Sequence, residues 1–221
     1  MKKVYLSSQA HPALTSYLTN SGYAIEVVNH EGITYDPVST HPDIFMCRLG
    51  VWEKVKIFPG NLKKLTPSYP GNIIYNAVCT KKYFIHNLKY TDPHLLAAAK
   101  DWKSALTLVD VPQGYTRCCC LPVDEASFIT SDHGIEKSLS AAGADVLLIE
   151  KGHITLPGFD YGFIGGCAGH IADRMILFNG DLSAHPDYKK MTAFINERGI
   201  DISYFEDYPL TDIGSIITAE L

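Results

Sequence analysis

Short apolar runs alternate with amphipathic stretches along this chain, and the alternation recurs. An apolar run at Val4-Tyr5-Leu6 is followed by Leu14, Tyr17 and Leu18 at helical spacing, then by a second run over 23–28. The same order restarts at Tyr83-Phe84-Ile85, at Ser127-Phe128-Ile129 and at Met175-Ile176-Leu177-Phe178. The last three starts are roughly 45 residues apart, a spacing typical of repeat architectures. Apolar positions three and four apart predict a helix, and short continuous apolar runs between turn residues predict buried strands.

On this reading helices cover 12–20, 93–102, 135–142 and 186–198. Pro12, Pro93 and Pro186 stand where these helices start, a position that needs no N–H. Gly22, Gly143 and Gly199 stand where helices stop. Second strands follow at 23–28, 105–109, 145–149 and 200–205, and third strands at 43–47, 115–119, 161–164 and 212–217. Residues 51–79 read as a fifth, eroded copy, with strands at 55–58 and 73–77. Pro59-Gly60, Pro67 and Pro70-Gly71 leave little room for a helix between them.

Composition narrows the partners. The chain has 221 residues, 46% of them hydrophobic, and a formal net charge of −5. That balance lacks the concentrated Lys/Arg surface that nucleic acid requires. No apolar run reaches the roughly 18 residues that span a bilayer. The run after Met1-Lys2-Lys3 is too short for a signal peptide, so a cytoplasmic location is expected, with the six cysteines reduced. There is no C-x-x-C spacing, and neither a metal nor a cofactor is expected.

Within the repeats, two segments stand out: Phe163-Ile164-Gly165-Gly166-Cys167-Ala168-Gly169-His170 and Asp207-Tyr208-Pro209-Leu210-Thr211-Asp212-Ile213-Gly214-Ser215. With the repeat pattern they resemble the pentein fold. This is the five-bladed β/α-propeller of arginine deiminase, agmatine deiminase, dimethylarginine dimethylaminohydrolase and the amidinotransferases. The chain looks closest to a small uncharacterised bacterial branch of that superfamily. The resemblance implies an α/β fold of ββαβ-type repeats with pseudo-fivefold symmetry. It implies one domain over 1–221, with modules at 1–50, 51–79, 80–124, 125–172 and 173–221. It further implies a cysteine thiolate attacking a guanidinium carbon, a histidine moving protons and acidic groups holding the cation. The chain departs from that plan. No cysteine follows Cys167, the last module from Thr211 to Thr218 carries none, and Asn76 takes the place of a guanidinium-holding Asp.

The candidate site residues follow from residue chemistry and position. Cys167 and His170, in a glycine-rich turn, are the candidate nucleophile and acid/base, with Asp173 to orient the histidine. Arg48 and Arg117 at strand ends are candidates to bind a substrate carboxylate. Asp212 and Asn76 are candidates to contact a guanidinium. Read as strand residues, Cys118 and Cys120 share one face and Cys119 takes the other. Two functions stay open: a cysteine-dependent hydrolase or amidinotransferase acting on a guanidine or amidine compound, and a non-catalytic protein binding a small amino-acid-like ligand or a protein. A coincidence of fold is the third reading. The eroded module would leave an edge suited to a homodimer.

Overall fold

A computed structural model describes residues 2–52 and 54–219. The first unit holds β1 (Lys2–Ser7), α1 (Pro12–Asn20), β2 (Tyr23–Val28), α2 (Pro42–Phe45) and β3 (Met46–Leu49). Next come β4 (Lys56–Pro59), β5 (Val78–Cys79), β6 (Tyr83–His86), α3 (Pro93–Trp102) and β7 (Thr107–Asp110). They are followed by α4 (Thr116–Cys119), β8 (Cys120–Pro122), β9 (Ser127–Thr130), α5 (His133–Ala141) and β10 (Asp145–Leu148). The chain ends with β11 (Ala168–Ala172), β12 (Met175–Phe178), α6 (Tyr188–Asn196), β13 (Asp201–Ser203) and β14 (Ile217–Thr218).

α1 and α3 begin where the residues predict, whereas α5 begins at His133, ahead of the expected 135, and α6 at Tyr188, two residues after Pro186. His11 accepts from Ala13 N ahead of Pro12, and Asp92 accepts from His94 N and Leu95 N ahead of α3. Each cap satisfies backbone donors that a helix start leaves free. α1 buries Leu14 and Leu18, and α6 buries Met191 and Ile195, so each helix turns one apolar stripe to its sheet. Gly199 follows α6 at φ 66°, a conformation that glycine adopts without a Cβ clash.

Four units share one construction. A strand, a helix and a second strand form a parallel pair: β1 with β2, β6 with β7, β9 with β10, and β12 with β13. The strand that ends the preceding unit then adds antiparallel to the first of each pair. β14 lies on β1, β5 on β6, β8 on β9 and β11 on β12. The pairing of β14 with β1 joins the two ends of the described chain. β4 runs antiparallel to β3 and has no parallel partner among the described residues. A three-residue turn of 3₁₀ helix, Leu62–Lys64, stands where the other units have a full helix. The architecture is therefore mixed α/β, built of several small sheets.

The third strands correct the sequence reading in one consistent direction. They were expected at 43–47, 115–119, 161–164 and 212–217, yet they begin at Met46, Cys120, Ala168 and Ile217. What precedes the first three, and β5 as well, is a tight backbone turn or short helix. Ile44 N donates to His41 O, Asn76 N to Ile73 O, Cys119 N to Tyr115 O and Gly166 N to Phe163 O. Short apolar runs fit a turn as well as a strand, and the turn is what delivers a side chain to the centre. Cys118 consequently sits in α4 and shares no strand face with Cys120.

Leu18→Ala should destabilise the protein by about 2–5 kcal/mol, because α1 is anchored by this fully buried side chain. Val27→Ala, at a position 59% exposed, should stay within about 0.5 kcal/mol. Urea unfolding of both variants checks the contrast.

Candidate functional site

The turns before β3, β5, β8, β11 and β14 meet and hydrogen-bond to one another in a closed ring. Asp43 N donates to Gly214 O (3.2 Å), Ser215 N to Gly166 O (2.7 Å) and Gly166 N to Cys118 O (2.9 Å). Arg117 N donates to Asn76 O (3.1 Å). Asn76 Nδ2 then donates to Asp43 O (3.1 Å) and closes the circuit. The approach is close enough to require glycine. A Cβ on Gly166 would fall on the Asp212 carboxylate, and one on Gly165 on the carbonyl of Arg117. Gly165 admits neighbouring backbone and Gly166 admits the Asp212 side chain.

Inside the ring the side chains of Asp43, Cys118, Asn76 and Ser215 touch. Cys118 Sγ lies 3.3 and 3.2 Å from the two carboxylate oxygens of Asp43. Ser215 Oγ lies 2.6 Å from Asp43 Oδ2 and 3.0 Å from Gly165 O. Asn76 Nδ2 also reaches Cys118 Sγ at 3.4 Å, and its Oδ1 accepts from Arg117 N at 2.7 Å. Ser215 holds φ 75°, which costs a non-glycine residue on the order of 1–3 kcal/mol and is kept only where neighbours enforce it.

Above this cluster opens a cavity of about 330 Å³. Its walls carry Tyr35, Tyr115, Phe159, Tyr161 and Phe163, and its polar groups are His41, Gln113, Cys118, Asp160 and Asp212. Among the described residues no lysine or arginine lines it. Tyr35 Oη and Tyr115 Oη are 3.0 Å apart, and Asn72 Nδ2 donates to Tyr115 Oη at 2.7 Å, which fixes one wall. The other wall is the loop through Phe159, pinned by Asp212 N donating to Thr155 O at 2.8 Å. His41, Leu156 and Asp212 also border a second cavity of about 540 Å³ that contains Glu31 and Asp36.

Burial dominates the electrostatics. It pushes the Asp212 carboxyl up to about 6, although Gly214 N and Phe163 N donate to it and Arg117 attracts it. Asp43 is raised for the same first reason, opposed by His41, Ser215 and Arg117. The Cys118 thiol is raised well above its ordinary value by burial and then by the charges of Asp43 and Asp212. His41 is lowered by burial, so its imidazole is neutral at pH 7, and its Nδ1 lies 3.8 Å from Asp212 Oδ1 without a hydrogen-bond partner. A protonated Asp43 fits its contacts: the acid can donate to Ser215 Oγ while the Ser215 hydroxyl donates to Gly165 O.

Of the residues singled out from sequence, Asn76 and Asp212 stand at this site. Cys167 and His170 are not brought together. Cys167 Sγ bonds Ile164 O within an apolar cluster, while His170 Nε2 bonds Pro122 O. Asp173 is exposed, away from the buried His170. Arg117 donates to Gly165 O and Ala168 O, and Arg48 to Thr218 O, Gly50 O and Val51 O. Both guanidinium groups tie backbone carbonyls from different units instead of facing the aromatic cavity. With His170 they line a separate cleft of about 20 Å³. There burial lowers Arg48 to about 9 and His170 to about 3. The residues that sequence reasoning missed are His41, Asp43, Cys118 as a cavity group, Ser215 and the aromatic wall. One signal was visible: His41-Pro42 repeats the His-Pro pair of His11-Pro12 and His185-Pro186.

A model described as "Family of unknown function (DUF6873)" matches residues 52–217. No curated protein matches the chain. Among solved structures, agmatine deiminase from C. jejuni is similar at 14% identity and a TM-score of 0.31, over 62% of this chain and 53% of that one. The chain therefore spans about half the length of that enzyme. Among the described residues no helix is long and apolar enough to cross a membrane.

Gly166→Ala should cost about 1–3 kcal/mol by driving a methyl group into Asp212 and opening the ring. The raised Asp212 carboxyl has a definite pH signature. The folded state holds this proton where the unfolded carboxyl, near 3.8, has lost it. The stabilisation is complete below that value and is lost as pH rises through about 6. The lowered histidines His41, His86 and His170 act in the opposite sense. The stability difference between wild type and Asp212→Asn cancels them. Wild type should lose stability relative to the variant from pH 4 to 7, as read by urea unfolding.

Proposed function

We propose that this chain, which belongs to the family of unknown function DUF6873, binds a small guanidinium or amidinium compound in the aromatic cavity and attacks it with Cys118. The observation that carries the proposal is the lining of that cavity. Five aromatic residues, the carboxyl groups of Asp160 and Asp212, and no lysine or arginine favour a flat cation over any anion. The same lining offers a ligand carboxylate no lysine or arginine partner among the described residues, which favours an alkylguanidine over arginine itself. The cyclic order of the small sheets, with the last strand on the first, fits a pentein-type β/α-propeller over one domain, with the unit around β4 eroded.

The chemistry runs through groups within reach of one another. Burial, and after it the charges of Asp43 and Asp212, keep the Cys118 thiol protonated, and a bound cation opposes the effect of those charges. The ligand thus creates the thiolate that attacks it, with the neutral imidazole of His41 taking the proton. The sulfur–carbon bond forms, an amine leaves with the proton held by His41, and water then releases the product and restores the thiol. Cys118 and His41 take here the roles that sequence alone gives to Cys167 and His170.

A second reading rests on the resting state of the thiol. Its pKa is raised far enough that the unliganded protein holds almost no thiolate. A protein that only binds the cation would look the same.

Calorimetry with methylguanidine and with arginine, combined with an ammonia and amine assay, separates the two readings. Methylguanidine should bind more tightly than arginine. Its affinity should rise with pH through about 6 as Asp212 ionises, and Asp212→Asn should remove that rise and weaken binding about tenfold or more. Turnover that vanishes in Cys118→Ala while binding persists supports the nucleophile. Binding without turnover in wild type leaves the binding protein. No binding of either compound overturns the proposal.

A further inference from the structure

The ring cluster has a second chemistry that the spacing along the chain conceals. The nearest ligand atoms of His41, Asp43 and Cys118 all lie within 4.8 Å of one another, and all three residues are buried. His41 is 3% exposed, and its Nδ1 has no hydrogen-bond partner. We infer that these three side chains form a binding site for a thiophilic divalent cation, with Zn²⁺ the best match. A thiolate, an imidazole and a carboxylate are the donors that zinc prefers, and three protein ligands leave a fourth position open. His41 and Cys118 line the aromatic cavity, so the open position faces the space where a ligand or water enters.

The site is held ready by its surroundings. Asp43 and Cys118 belong to neighbouring turns fixed by Asn76, whose amide reaches the Asp43 carbonyl and the Cys118 sulfur. Ser215 steadies the Asp43 carboxylate from the other side. Asp212 lies outside this trio, and each of its oxygens accepts a backbone N–H group. It contributes negative charge 3.8 Å from His41 Nδ1. The exchange balances without a redox step. The cation enters, the Cys118 thiol proton leaves to solvent, and any proton on Asp43 leaves with it. No oxidant or reductant is required.

Occupation has a consequence that rests on the function proposed above. A metal on Cys118 removes the nucleophile and places positive charge where the guanidinium would lie, so the two occupants exclude each other.

The test uses Co²⁺ as a spectroscopic probe and Zn²⁺ as its competitor, on the full-length protein. Cobalt should bind one per chain and give thiolate-to-metal charge-transfer absorption that Zn²⁺ abolishes. Cys118→Ser should lose the absorption, and His41→Ala should weaken binding about tenfold or more. Cys167→Ser should leave both unchanged and reports whether the fold tolerates loss of a buried thiol. Absorption that survives in Cys118→Ser, or no cobalt uptake by wild type, overturns the site. None of these readouts depends on turnover. If methylguanidine fails to bind while cobalt does, the guanidine reading falls and the metal site stands. Both succeeding, with Zn²⁺ blocking methylguanidine, establishes the exclusion.

Discussion

The structure depends on one constraint: five turns from distant parts of the chain must hydrogen-bond to one another in a closed ring. Asp43, Asn76, Cys118, Gly166 and Ser215 are its members, and each is bonded, directly or through the adjacent residue, to the next. A ring this small tolerates no spare atoms, which explains Gly165 and Gly166. It also brings β14 against β1, since the circuit cannot close unless the two ends of the chain meet. Backbone groups at the centre are shielded from water and must find partners there. The ring, with the Asn76 amide as its last link, supplies those partners and leaves the side chains of Asp43 and Cys118 for other uses.

Those side chains divide the centre electrically. On the cavity side stand Asp43, Asp212 and a thiol, with no cation lining the opening. On the other side Arg48 and Arg117 bind carbonyls of several units at once. Arg117 lies close enough to favour the charged forms of Asp43 and Asp212, yet burial wins at both. A well-packed apolar centre would have been at least as stable as this arrangement. Its retention of charged groups is better explained by what those groups hold than by stability.

How much of this could be read from sequence varies with the kind of signal. α1 and α3 match residues 12–20 and 93–102 because proline, a capping group and an apolar stripe all agree there. The third strands were misplaced because a four-residue apolar run has no period that separates a turn from a strand. That misplacement carried into the site. Reading Cys118 as a strand residue hid its approach to Asp43, and reading 165–170 as a ligand turn promoted Cys167 and His170. Asn76 and Asp212 were legible because position within a repeat survives an error of a few residues. His41 and Asp43 were not, because their partner Cys118 lies some seventy-five residues away and only closure of the ring joins them.

The protonation pattern of the cluster points to what the centre lacks. Asp43 and Cys118 are both pushed toward their neutral forms, and His41 is pushed toward its neutral form as well. Three groups that could carry charge are therefore biased toward their neutral forms beside an Asp212 poised near pH 6. Each proton held on oxygen or sulfur stands in for a cation, because burial forbids bare negative charge without one. An occupant that brings its own positive charge removes that need and lets the protons go. A planar guanidinium does this across the aromatic walls, and a divalent metal does it directly on the donor atoms. Both are answers to a single electrostatic deficit, created when the ring drew two acids and a thiol into a space that no lysine or arginine lines among the described residues.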